Sequence, residues 1–309
     1  MASGGEATLN GQTVQANPRA TDSTMPVLAG AALVGLAGLG LFWWQIEQLW
    51  SVWTSDPLRS IGALVLPVSA LLAWRALGRE DFSERGSWWG LLMVAAALAA
   101  AGLQHRGSPA LVLGRNVALN LLPVGVLLYL YASGVVLLFG GARAWRKAGF
   151  AFFLLLFVNP VPHLFSNWVD VPLQHLGASA ARAFAALLAV PVTGSALNLL
   201  FFHGELGMFI APSCNGLQGA AAMGLLALVI GHLRGLRPLP HLLFTAGAVL
   251  VAYVFNLLRL CLLVVYYCVA HLFPVLGQYG VGADYVIGAS LFALAAAFLF
   301  WAPQMRFGR

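Results

Sequence analysis

Charge is what this chain has least of. Only 8% of its 309 residues are Asp, Glu, Lys or Arg, against about a quarter in soluble domains, while 61% are hydrophobic. That shortage excludes a water-soluble globular domain and implies an integral membrane protein. Cysteine is nearly as scarce. Cys214, Cys261 and Cys268 are too few and too irregularly spaced for a disulfide framework or a metal site, so no metal or cofactor is expected, and a thiol function or simple packing is left. The net charge of +6 is dispersed through short loops rather than clustered, which excludes a nucleic-acid partner and instead orients a chain in a lipid bilayer. The first apolar run has no basic cluster ahead of it, and "WSVWTSDP" offers no small-residue cleavage site, so the run is expected to stay as an anchor.

What is present is apolar sequence in long runs. A hydrocarbon core of ~30 Å needs about 20 residues of helix. Eight runs qualify, near 27–50, 60–76, 87–103, 116–140, 149–165, 216–233, 242–271 and 285–303. The fold class expected is an all-α polytopic membrane protein of about eight transmembrane helices. Its orientation follows from Arg and Lys. Arg19, the group Arg75, Arg79 and Arg85, the group Arg143, Arg146 and Lys147, the pair Arg234 and Arg237, and the pair Arg306 and Arg309 fall on one side. Arg59, Arg106, Arg115 and Arg182 fall on the other. Eleven against four puts both termini in the cytoplasm, with Arg259 left inside a span. Residues 1–25 are polar and small and read as a disordered cytoplasmic tail, and 26–309 as a single transmembrane domain. Trp43, Trp44, Trp50, Trp53, Trp88 and Trp89 fall near expected membrane surfaces, as an aromatic belt does.

The longest stretch outside the spans runs from about 166 to 213 on the extracytoplasmic side. "VPLQHLGASAARAFAALLAV" carries apolar residues at helical spacing with Pro172 suited to a first turn, so an interfacial amphipathic helix is expected. "ALNLLFF" and "LGMFIAP", flanking the turn signal "HGE", predict a small β-hairpin that delivers the chain to Cys214. A cysteine at the first turn of a helix meets unpaired N–H groups and the positive end of the helix dipole, which favour thiolate over thiol. Cys214 is therefore a candidate nucleophile. The N–H groups of Asn215, Gly216 and Leu217 are candidate oxyanion donors, with Gly216 admitting a substrate backbone. The competing reading is a small buried hydrophobe, and Cys261 and Cys268, within an all-apolar run, are read that way.

"AYVFNLLRLCLL" places Arg259 near the middle of an apolar run of about thirty residues, where a guanidinium costs at least about 2.5–3.5 kcal/mol and needs a partner or a wet cavity. Asn256, three residues earlier, shares its helical face and is expected to orient it. Arg259 would stabilise a thiolate or an oxyanion, or else serve structurally by bonding backbone carbonyls. His271 and Asp284, at the outer ends of the seventh and eighth spans, are alternative candidates to orient or deprotonate. His163, His175 and His203 are weaker candidates.

Taken in order, these segments resemble the exosortase and archaeosortase family of membrane-embedded cysteine transpeptidases over roughly residues 50 to 300. "WSVWTSDPLRSIGALVLPVSALLAWR" resembles the family's first outer loop and second span, and "NPVPHLF" its Pro-x-Pro exit from the fifth. "APSCNGLQG" resembles its Cys-Ser-Gly-[Leu/Ile]-[Arg/Gln] motif, and "NLLR" its Asn-x-x-Arg. The resemblance implies that Cys214 is the nucleophile and Arg259 its cationic partner. It also implies substrates that are exported proteins bearing a C-terminal sorting signal: a short Pro-Glu-Pro-like motif, a transmembrane helix and a basic tail. Cleavage would proceed through a thioester, with transfer to a glycan or lipid acceptor, in a bacterial inner membrane with the site facing outward. Asn215 stands where the family has serine, and Asp284, four residues before Gly288 in "DYVIG", stands where the family has histidine. A transporter or flippase of a polysaccharide export pathway is the alternative. Against it, carboxylates are missing from the span centres and no internal repeat is visible. A membrane scaffold would leave Arg259 without a role.

Overall fold

The computed structural model describes residues 24–55, 59–78, 86–107, 110–112, 118–120, 122–159, 169–204, 206–210 and 214–301. The expected disordered tail lies almost wholly outside these residues, as do His163 with most of "NPVPHLF" and positions 211–213 ahead of Cys214. In hydrocarbon every backbone polar group must bond within its own segment, and the apolar runs accordingly form helices. The first expected span is two helices, α1 (Thr24–Leu41) and α2 (Trp43–Ser55). They meet at Phe42, whose buried ring packs edge-on to Tyr131 with centroids 5.0 Å apart. Next come α3 (Gly62–Leu77) and α4 (Trp89–Arg106). The span expected from residue 116 begins only at Val124, because Ala118–Asn120 (β2) pairs antiparallel with Ala110–Val112 (β1).

The fourth and fifth expected spans fall in α5 (Val124–Leu154), which is two helical arms, 124–140 and 142–154, that meet at Gly141, the second extended by a 3₁₀ turn over Leu155–Phe157. It is not straight. Gly141 has φ 71° and ψ −176°, a conformation open almost only to glycine, and the chain doubles back there. A Cβ on Gly125 would lie 2.7 Å from the Leu155 carbonyl oxygen, and Val124, Leu128 and Ala132 pack with Ala148, Phe152 and Leu155. Two antiparallel arms are thus joined without a polar loop. Arg143, Arg146 and Lys147, expected between spans, sit in the first turns of the second arm. Among the described residues three helical stretches are long and apolar enough, by length and composition, to cross a membrane: Pro238–Leu272, Pro274–Trp301 and Val124–Phe157, the last counted across its bend at Gly141. Gly62–Leu77 and Leu217–Leu233 are shorter apolar helices. Trp43, Trp50, Trp88 and Trp89 are exposed, as belt residues are, but Trp53 is not of that kind: its indole N–H donates to the Val158 carbonyl at 3.1 Å.

The C-terminal half carries the site. It comprises α6 (Val171–Leu187), strands β3 (Val192–Thr193), β4 (Asn198–Phe201) and β5 (Leu206–Phe209), then α7 (Leu217–Leu233), α8 (Pro238–Leu272), a 3₁₀ segment over Pro274–Tyr279, and α9 (Gly280–Trp301). The strands form an antiparallel sheet in the order β3-β4-β5, so the two strands expected from sequence have a third beside them. Helix α6 forms where the amphipathic helix was expected. Its small-residue face, Ala178, Ala181 and Ala185, packs with Leu199, Phe201 and Ile210 of the sheet region and Leu260, Leu263 and Val264 of α8. Burying that stripe against protein removes it from lipid and makes α6 and the sheet a cap over one end of α8.

Helices α7 and α8 run antiparallel, in contact at Gly216 with Asn256, Gly224 with Val249 and Gly231 with His241. Helix α9 packs on α8, where Gly288 meets Arg259, and reaches the opposite end, where Arg234 donates to the Phe300 carbonyl at 3.0 Å. The 35 residues of α8 span about 52 Å, well beyond a hydrocarbon core of about 30 Å. Arg259 lies 21 residues after Pro238, about 31 Å along the axis, level with the start of α7. It is therefore about one core thickness along α8 from the Arg234 and Arg237 end. The run is longer than a bilayer because its last third packs beneath the cap.

Candidate active site

Cys214, Arg259 and Asp284 converge where the cap meets α7, α8 and α9. Arg259 Nε donates to Asp284 Oδ1 at 2.8 Å and Nη2 to Oδ2 at 2.6 Å, a two-pronged charge-assisted pair with 20% and 29% of the side chains exposed. The same Nη2 lies 4.0 Å from Cys214 Sγ. The guanidinium thus bridges carboxylate and thiol, and the shared nitrogen bounds the Oδ2 to Sγ separation at about 6.6 Å. The sequence of α9 makes room for this. Asp284 and Gly288, four residues apart, lie on one helical face, and a Cβ at Gly288 would sit only 3.3 Å from Arg259 Nε. "DYVIG" therefore supplies both the acid that grips the guanidinium and the bare patch on which it lies.

Asn256 shares the face of Arg259 but does not orient it. Its Nδ2 donates to the Cys214 carbonyl at 3.0 Å, while Asp284 takes two of the guanidinium nitrogens. Spacing put the two residues side by side; what lay opposite each decided its partner. Gly216, the residue ahead of α7, has φ 83°, and a Cβ there would lie 2.8 Å from Asn256 Cγ. Backbone conformation and close approach both require glycine at this point.

Asn215 is 1% exposed and uses both ends of its amide. Oδ1 accepts from the Leu217 N–H at 2.8 Å, and Nδ2 donates to Asp170 Oδ1 at 3.0 Å. The Leu217 N–H, expected as an oxyanion donor, is thereby engaged, and Asn215 acts as a strut for the turn that carries Cys214. Serine is too short to span the same two partners. Asp170 was not singled out from sequence; in the structure it sits at the N-cap position of α6 without a side-chain capping bond. A signal was available. It is the only acidic residue between Glu84 and Glu205, in a chain with ten.

His271 is not brought to the site. It lies 12 residues beyond Arg259 on α8, about 18 Å along the axis, with its ring stacked on Phe202 at 3.9 Å. The difference arises because α8 continues unbroken, carrying its last turns away under the cap. Cys261 and Cys268 lie on α8, Cys268 packed against the cap's core. His175 is on α6, and His203 occupies the β4–β5 turn at φ 62°. Among the described residues no group of His, Cys, Asp and Glu is placed to hold a metal ion. A cavity of about 540 Å³ opens below the site between α7, α8 and α9, reaching it at Gly216, Asn256, Arg259 and Asp284.

The structure thus brings together a thiol three residues ahead of α7, rather than in its first turn as expected, a cation 4.0 Å from it, and an acid that fixes the cation. A family model described as transmembrane exosortase matches residues 53–301, and the chain belongs to that family, whose members are generally cysteine transpeptidases. No curated protein and no solved structure matches the chain.

Proposed function

We propose that this protein is a sorting transpeptidase in which Cys214 attacks a peptide carbonyl of an exported protein. The observation that carries the reading is the position of Arg259 Nη2, 4.0 Å from Cys214 Sγ while Asp284 holds the other side of the guanidinium. Cys214 reacts as the thiolate, its proton lost to water and its charge stabilised by Arg259. Attack forms a C–S bond and an oxyanion, which the guanidinium stabilises through its charge and the Nη1 side that Asp284 does not hold. Collapse breaks the C–N bond, the departing amine takes a proton from water, and a thioester remains. An amine or hydroxyl acceptor then displaces the thiol and completes the transfer. Asp284 is a positioning residue in this scheme, because both its oxygens are committed to the guanidinium; Asn215 and Asn256 position the Cys214 backbone. The substrate is an exported protein with a C-terminal signal of a short Pro-Glu-Pro-like motif, a transmembrane helix and a basic tail. The acceptor is a surface glycan or lipid, and the site faces outward from the inner membrane of a bacterium. The Arg234 and Arg237 end lies in the cytoplasm, in keeping with the positive-inside rule.

The test is co-expression with a tagged protein bearing such a signal. Cys214→Ala is expected to insert and fold yet leave the signal uncut, while Cys261→Ala and Cys268→Ala cut it normally. Normal processing by Cys214→Ala removes the reading. Labelling of Cys214 by a membrane-impermeant thiol reagent from the outer face tests the orientation, and labelling only from the cytoplasm inverts it.

A further inference from the structure

An oxyanion formed by attack of Cys214 sits on a carbonyl bonded to Sγ, and most side-chain donors around that turn already have partners. Asn215 Nδ2 is taken by Asp170, Asn256 Nδ2 by the Cys214 carbonyl, and Arg259 Nε and Nη2 by Asp284. Arg259 keeps its Nη1 side, so α8 supplies one wall of donors. The facing wall is α7, and its polar side chain there is Gln218. This residue is half-buried and lines the same cavity mouth as Gly216, Asn256, Arg259 and Asp284. Its amide has no hydrogen-bond partner among the described residues.

Helix direction brings that amide to the level of the guanidinium. Gly216 lies against Asn256 and Gly224 against Val249, so α7 and α8 run in opposite directions. Gln218 is then about 3 Å further from the cap than Gly216, and Arg259 about 4.5 Å nearer to it than Asn256. Side chains on a helix lean toward its N-terminus. On α7 that direction is toward the cap, and on α8 it is away from it. Gln218 therefore leans up and Arg259 leans down, and the two converge on the Gly216–Asn256 level, where the turn that carries Cys214 ends. Gly219 and Ala222, beside Gln218 on the cavity side of α7, are too short to stand between them.

We propose that Gln218 is a catalytic residue, whose side-chain N–H donates to the oxyanion from the α7 side while Arg259 meets it from the α8 side. The assignment rests on the transpeptidase reading. No proton moves in this role. The amide bonds the substrate carbonyl weakly before attack and strongly once Sγ has added and the charge is on oxygen; when the C–N bond breaks and the thioester forms, the charge leaves the oxygen and the bond weakens again. An interaction that strengthens only in the transition state raises turnover rather than affinity.

The experiment uses the full chain reconstituted in phosphatidylethanolamine and phosphatidylglycerol vesicles, with a purified tagged protein bearing the Pro-Glu-Pro-like signal as the probe. Gln218→Met keeps length and volume but has no N–H, and since the amide has no partner to lose, the variant should melt as the wild type does. Its kcat for cleavage should fall about 10²–10³-fold with KM unchanged. Alkylation of Cys214 by iodoacetamide is the reference reaction. There Sγ displaces iodide from carbon and no oxyanion forms, so the rate in Gln218→Met should match the wild type. Gln218→Glu, a carboxylate without an N–H, should lose cleavage at least as far, and it carries the test if Gln218→Met does not fold. Wild-type kcat in a well-folded Gln218→Met overturns the proposal. So does a raised KM at unchanged kcat, which would make Gln218 a binding residue only, or a loss of alkylation in step with cleavage, which would make it a support for the Cys214 turn. Cys214→Ala is measured alongside. If it is inert while Gln218→Met cuts normally, this proposal alone fails; if it cuts normally, the transpeptidase reading fails with it.

Discussion

Asp284→Asn tests whether the carboxylate aims the guanidinium. Asp284 accepts from Arg259 Nε at 2.8 Å and from Nη2 at 2.6 Å, so the pair fixes the plane of the guanidinium and with it the Nη2 that stands 4.0 Å from Cys214 Sγ. An amide offers one acceptor oxygen and no charge, so at least one charge-assisted bond is lost, worth about 1.5–3 kcal/mol. With the guanidinium free to swing, signal cleavage should fall by about 10²-fold, the usual cost of losing an oxyanion donor. The assay measures cleavage and thermal stability on the same preparation. Unchanged cleavage by a well-folded Asp284→Asn would refute the reasoning, because Asp284 would then not be aiming the guanidinium.

Arg259→Lys keeps the charge but loses the planar fork, so it should fold while cleavage falls about 10²–10³-fold; normal cleavage by well-folded Arg259→Ala would remove the residue from the mechanism. Gly216→Ala combines an unfavourable φ with a collision against Asn256 and should cost about 1–3 kcal/mol, seen as a lowered melting temperature with slowed cleavage. Asn215→Ser should break the strut to Asp170 and reduce cleavage more than it reduces stability, and Asp170→Ala should do the same. His271→Ala should leave cleavage within about twofold, given its distance of about 18 Å along α8; a large loss would return it to the site.

The site was legible in parts. Cys214 before a helix and Arg259 in an apolar run stand out because each breaks its local pattern, and "DYVIG" carries the acid and the glycine four residues apart. Other assignments needed the partner across the interface. Asn256 and Arg259 share a face by spacing, yet one reaches a backbone carbonyl on the turn before α7 and the other a carboxylate on α9. His271 and Asp284 are equivalent by position near the ends of apolar runs, and only the unbroken course of α8 separates them. Asp170 is distant in sequence from everything it supports, so its role shows only in the fold.

The sequence by itself determined that this chain belongs in a membrane and is built from helices. Apolar runs without charge have no stable place in water, and their backbone has no partner in hydrocarbon except itself. It determined too which residues carry reactive chemistry, because a thiol and a guanidinium keep that chemistry wherever they are placed. The tertiary structure decided how far the apolar runs extend and what each reactive group meets. One glycine at φ 71° turns two expected spans into a hairpin without a loop, and packing beneath the cap lets α8 outrun the bilayer and sets Arg259 level with Cys214. Such outcomes depend on contacts between residues 25 to 45 positions apart, as between Arg259, Asp284 and Cys214. Local periodicity holds no record of those contacts, because it describes one segment and they are made by two.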